Sequence, residues 1–103
     1  MVSIDGHGLA SDVVWVGMLP GQLCRGADQV EARLDQIRAE GRTVDPEVLA
    51  KGKSAFLIDP HVEPPAAIPE LHQIAVVHDG VVHEIRDYRD RATAEAAFEA
   101  MDW

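Results

Sequence analysis

Asp79-Gly80, set between two apolar runs in HQIAVVHDGVVHEIRDYRDRATAEAAF, constrains this chain more than any other feature. A two-residue hairpin loop of type I′ needs positive φ at both central residues, and Asp-Gly is among the pairs that tolerate it best. Such a loop also sets the register. It predicts His78 opposite Val81, Val76 opposite His83, Ile74 opposite Ile85 and His72 opposite Asp87. One face then carries a histidine across from a carboxylate, beside an Ile-Ile pair. The other face pairs Gln73 with Arg86, Ala75 with Glu84 and Leu71 with Tyr88.

The 103 residues suffice for one compact domain, 1–103, and not for two. Cys24 is the single cysteine, which excludes an internal disulfide and any cysteine-based zinc cage. Eighteen acids against nine bases give a formal charge of −9, a surface that repels phosphate backbones and anionic lipid. Nucleic-acid and membrane partners are not expected. No apolar run reaches the roughly 18 residues of a membrane span. The opening MVSIDGHGLASD lacks the basic and apolar regions of a secretory signal, so a cytoplasmic location is expected.

Along the chain, residues 1–11 read as a flexible arm or short extended piece. Val13 to Met18 (VVWVGM) reads as a buried strand closed by a Pro20-Gly21 turn. Ala27 to Glu40 has Val30, Leu34 and Ile37 on one stripe, with Gly41 where a C-terminal cap glycine belongs. Thr43 to Ala50 and Ser54 to Asp59 suggest a second hairpin around Lys51-Gly52-Lys53. Residues 60–70 (PHVEPPAAIPE) form a stiff connection. After the Asp-Gly hairpin, Asp90 is placed to cap a helix from Arg91 to about Met101. This order predicts an α+β fold, a bent antiparallel sheet packed on one main helix.

Two segments carry a family resemblance. DVVWVGMLPGQLCRGADQVEARL resembles the stretch of SnoaL-like proteins, in the nuclear transport factor 2-like superfamily, where the first strand passes through a Cys-Arg-Gly turn into a helix. HQIAVVHDGVVHEIRDYRDRATAEAA resembles the closing hairpin of the same group. Together they cover about half the chain in the family's order. The resemblance implies a cone-shaped, cystatin-like architecture, a strongly bent sheet around a deep apolar pocket. Family members usually open with about two helices that cap the cone, so this chain resembles a member shortened at its N-terminus.

His72 opposite Asp87 would form an acid/base pair, because a carboxylate beside an imidazole raises the histidine pKa and fixes its tautomer. The plainer expectation is a cross-strand surface contact worth under about 1 kcal/mol. Trp15, Ile74, Ile85 and His83 would shape the cavity, although a tryptophan in VVWV also suits a core. Tyr88 faces away from Asp87 by the period-two rule. His61, Glu63, His72, His78 and His83 repeat no known ligand spacing, so neither metal nor cofactor is expected. Cys24 lacks a partner base and reads as an inert thiol.

We therefore read a small-molecule pocket protein for a small apolar ligand. Its enzymatic form would be cofactor-independent acid/base chemistry on an apolar, oxygen-bearing substrate: isomerisation, hydration or dehydration, or epoxide opening. The alternative is a non-catalytic ligand-binding or dimeric association module. A homodimer is expected through the convex sheet face, where alternation places Val14, Val16, Ala75, Val77 and Val82 opposite to Trp15, Ile74 and Ile85.

Overall fold

The computed structural model describes residues 3–4, 7–17, 23–63 and 71–101. The expected Pro20-Gly21 turn and residues 64–70 of the Pro-rich connection lie outside the described residues. The elements run β1 (Ser3–Ile4), β2 (His7–Val16), β3 (Leu23–Arg25), α1 (Ala27–Ala39), β4 (Thr43–Val44), β5 (Glu47–Lys51), β6 (Ala55–Asp59), β7 (Val62–Glu63), β8 (His72–His78), β9 (Val81–Tyr88) and α2 (Arg91–Met101). The first long strand starts at His7 rather than Val13, so much of the segment expected as an arm is paired in the sheet.

The main sheet is ordered β1-β2-β9-β8-β6-β5, with β3 paired to β2 beyond β1; β4 and β7 form a separate two-stranded sheet. Hairpins make β8–β9 and β5–β6 antiparallel, and β6 and β8, joined by the longer connection through β7, are antiparallel too. The expected all-antiparallel sheet is corrected at one seam, where β2 runs parallel to β9. A tight turn forces its two strands antiparallel, but β2 and β9 are joined only through the rest of the chain. Turn chemistry near Asp79-Gly80 could not reveal that pairing.

Asp79 and Gly80 adopt φ 53 and 77, as the expected turn requires, and His78–Val81 and Val77–Val82 pair as predicted. The register then shifts between Val76 and Val77, leaving His83 as an extra residue on β9. From there on every partner moves by one: Ala75 meets Ile85, Ile74 meets Arg86, Gln73 meets Asp87 and His72 meets Tyr88. The predicted pairs Ile74–Ile85 and His72–Asp87 are therefore wrong. A one-residue bulge reverses the face of all that follows it, because side chains alternate with a period of two.

The bulge lets Val82 and Ile85, three residues apart, share one core. That core lies under α1 and joins Val13, Trp15, Val30, Leu34, Phe56, Ile58, Ala75, Val82 and Ile85. A second core on the opposite face joins Ala55, Leu57, Ile74 and Ala94 of α2, with Tyr88, Ala97, Phe98 and Met101 against it. The run Ala55-Phe56-Leu57-Ile58 is buried throughout because β6 is covered by a core on each side. The expectation of one covering helix is thus corrected. The assignment of Ala75, Val77 and Val82 to an uncovered face fails too, since all three pack on the α1 core.

Both helices end as their residues dictate. Gly41 at φ 85 closes α1 with Gly41 N–H donating to Arg38 and Arg42 N–H to Ile37, the double bond of a Schellman cap. Thr93 N–H donates to Asp90 Oδ1 at 2.7 Å, the expected N-cap of α2.

Candidate functional site

Asp87 is a half-buried polar group on the α1 face of the sheet. It follows Ile85 by two residues on β9, so it projects toward the same face, and its cross-strand partner is Gln73. Across the parallel seam Trp15 pairs with Ile85, which brings the indole beside Asp87. Trp15 Nε1–H donates to Asp87 Oδ1 at 2.8 Å, and Gln73 Nε2–H donates to the same oxygen at 2.8 Å. Among the described residues no donor reaches Oδ2.

This geometry sets the carboxyl's chemistry. Burial pushes the Asp87 pKa above the ordinary aspartate value. The Trp15 and Gln73 hydrogen bonds and the positive charge of Arg33 oppose the rise, because each favours the carboxylate. Desolvation wins. Trp15 and Gln73 are neutral donors that do not ionise near neutral pH, so they orient the carboxyl without competing for its proton. Oδ1 is held by two bonds, and Oδ2 is left to accept or deliver a proton.

Arg33 completes the group. It sits on the flank of the α1 stripe, three residues after Val30 and four before Ile37, and reaches down to the sheet. Its guanidinium carbon lies 5.4 Å from the Trp15 ring centroid, within reach of a cation–π attraction. Cys24 is the antiparallel partner of Trp15 on β3, half-buried against the same core.

Trp15, Ile85 and Asp87, expected at the site, do stand together on the α1 face. His72 and Ile74 do not. Ile74 is in the α2 core, and His72, 8% exposed, lies on that face with its Nε2 3.9 Å from Asp59 Oδ2. The bulge at His83 separates His72 from Asp87, and the expected acid/base pair is not formed. His83 itself is the bulged residue, 3.9 Å from Asp12 Oδ1 by its Nδ1 and with its ring 5.9 Å from that of His78. It lies near the turn end of the hairpin, away from Asp87. Tyr88 faces away from Asp87 as expected and packs on the α2 core.

Neither Gln73 nor Arg33 is among the expected site residues. The unbroken register sets Gln73 on the opposite face. Arg33 carried a readable signal: helical spacing sets it beside Val30 and Ile37, at the edge of the buried stripe.

No protein-family model matches the chain, and no curated protein matches it. Solved structures do. The chain is similar to a SnoaL-like polyketide cyclase from Mesorhizobium loti, at 19% identity over 80% of this chain and 79% of that one, TM-score 0.58. It is similar to a nuclear transport factor 2-like protein of unknown function from Burkholderia pseudomallei, at 19% identity over 88% and 78%, TM-score 0.59. A third is a protein with a ketosteroid isomerase-like fold from Catenulispora acidiphila, crystallised with trimethylamine, at 14% identity over 85% and 74%, TM-score 0.53. The chain therefore has the α+β fold of SnoaL-like and nuclear transport factor 2-like proteins.

Proposed function

We propose that this protein binds a small, apolar, oxygen-bearing molecule on the α1 face of its sheet, and that Asp87 moves a proton to or from it. The observation that carries this reading is the Asp87 carboxyl, with Oδ1 held by Trp15 and Gln73 and Oδ2 unengaged among the described residues. Burial raises its proton affinity toward the range useful for general acid–base work. A fold shared with a polyketide cyclase and a ketosteroid isomerase-like protein is compatible with such a role. In the simplest form, Oδ2 removes a proton from the carbon next to a ligand carbonyl. The electron pair moves onto the carbonyl oxygen, and as it returns through an adjacent β,γ double bond the proton is delivered to the γ carbon. Neither step needs a cofactor.

The test is isomerisation of a β,γ-unsaturated cyclic ketone to its conjugated form, followed by ultraviolet absorbance. Asp87→Asn keeps the size and both hydrogen bonds but cannot take the proton, and is expected to cost about 100-fold in rate. A folded variant with an unchanged rate removes Asp87 from the chemistry.

The dimeric association module is favoured by a different observation. Val16 and Leu23 are cross-strand partners on β2 and β3, and they are 38% and 44% exposed. They lie on the face opposite Trp15. A homodimer burying them predicts twice the monomer mass by light scattering, reduced to the monomer by Leu23→Asp. A stable monomer in the unmodified protein rejects it.

A further inference from the structure

The arginines of this chain are mostly neutralised where they stand. Arg38 pairs with Asp35 at 3.4 Å, Arg42 with Glu40 at 3.2 Å, Arg86 with Glu84 at 2.7 Å and Arg91 with Glu95 at 2.6 Å. Arg33 is different. Its helical neighbours three and four residues away are Gln29, Val30, Gln36 and Ile37, none of them acidic. Asp87 feels its charge but forms no ion pair with it, and among the described residues no carboxylate pairs with Arg33. In a chain of net charge −9, this leaves one half-buried cation uncompensated beside the candidate site.

Its geometry shows what it can accept. The guanidinium carbon lies over the Trp15 ring at 5.4 Å, and among the described residues no acceptor engages its N–H donors. An attraction to the ring face uses none of those donors, so they remain available to a ligand. A planar fork of donors fits an oxyanion bidentately, and the contact with the indole lowers the entropy cost of holding it there. Asp87 Oδ2 lies on the same face, ready to share a proton with an acidic ligand.

We propose, building on the reading of this face as a ligand site, that Arg33 makes it selective for organic acids. The ligand's carboxylate or ionised enol oxygen pairs with Arg33, and its apolar body lies against Trp15 and Ile85 within reach of Asp87. Arg33 is here a specificity-determining residue. It fixes the ligand's anionic end and leaves the proton chemistry to Asp87.

The test compares two probes of nearly equal shape, 2-naphthoate and its neutral amide, 2-naphthamide. Binding is followed by the Trp15 indole N–H resonance, distinguished from that of Trp103 with a Trp103→Phe variant. The unmodified protein is expected to bind naphthoate at least about tenfold more tightly than naphthamide, the scale of one charge-assisted hydrogen bond. Arg33→Gln should bring the two within about twofold of each other, and Arg33→Lys should keep part of the preference. Salt gives a second readout that needs no variant: about 0.5 M sodium chloride should weaken naphthoate and spare naphthamide. Equal binding of both probes to the unmodified protein overturns the selectivity while the ligand site stands. A preference that survives in Arg33→Gln overturns the role of Arg33. If neither probe moves the Trp15 resonance, the site itself fails and the inference with it.

Discussion

Asp87 is held between opposing effects. Burial favours its neutral form, and two hydrogen bonds with a nearby guanidinium favour the charged one. Because burial prevails, the folded protein keeps a proton at pH values where the unfolded chain has released it. Raising the pH from the ordinary aspartate range through the higher folded value therefore removes stability. Asp87→Asn does not titrate and its amide oxygen can still accept from Trp15 and Gln73. Its stability relative to the unmodified protein should thus rise with pH across that window and level off above it, as urea denaturation at a series of pH values would show. A constant difference across the window would mean that the carboxyl is not perturbed.

At the scale of elements, the bulge at His83 decides which residues form the site. Deleting His83 removes the extra residue and leaves Ala75 opposite Ile85 and Gln73 opposite Asp87, so both side chains stay on the α1 face. The deletion variant is expected to keep its near-ultraviolet circular dichroism and its cooperative melting. Loss of both would show that the partners beyond the bulge are not the ones described. Gly41 is a second discrete determinant. At φ 85 with open space around its Cα, Gly41→Ala meets no clash and is strained only by its backbone, a cost of roughly 1 kcal/mol in thermal or chemical unfolding. The sequence made the turn, both helix ends and the Val30–Leu34–Ile37 stripe legible, because each is set by local chemistry. It concealed the bulge and the parallel β2–β9 seam, because no local signal marks an inserted residue or the direction of a distant strand. An unbroken register consequently pairs His72 with Asp87 and turns Gln73 away. Trp15 and Asp87 are legible as site residues, but for a partnership with His72 that the fold does not make.

For the whole molecule, one sheet separates two cores, and neither helix covers both. Ile58 anchors the α1 side and Ile74 the α2 side, each fully buried. Ile58→Ala and Ile74→Ala should each cost about 2–5 kcal/mol. Since β6 and β8 contribute side chains to both cores, either substitution should shift one common unfolding transition seen by all probes. Two separated transitions would mean that the cores fold independently. Among the described residues no helix is long and apolar enough to cross a membrane. The α1 face gathers Trp15 and Gln73 on one carboxyl oxygen of Asp87, with Arg33 over the Trp15 ring. The measurement that tests this most directly is the titration of the Asp87 carboxyl carbon by nuclear magnetic resonance, with the signal assigned from its loss in Asp87→Asn. The midpoint should lie above the ordinary aspartate value of about 3.9 and move higher still in Trp15→Phe, which removes a donor that favours the carboxylate. A midpoint at or below the ordinary value, or one indifferent to the loss of the indole N–H, would contradict the account.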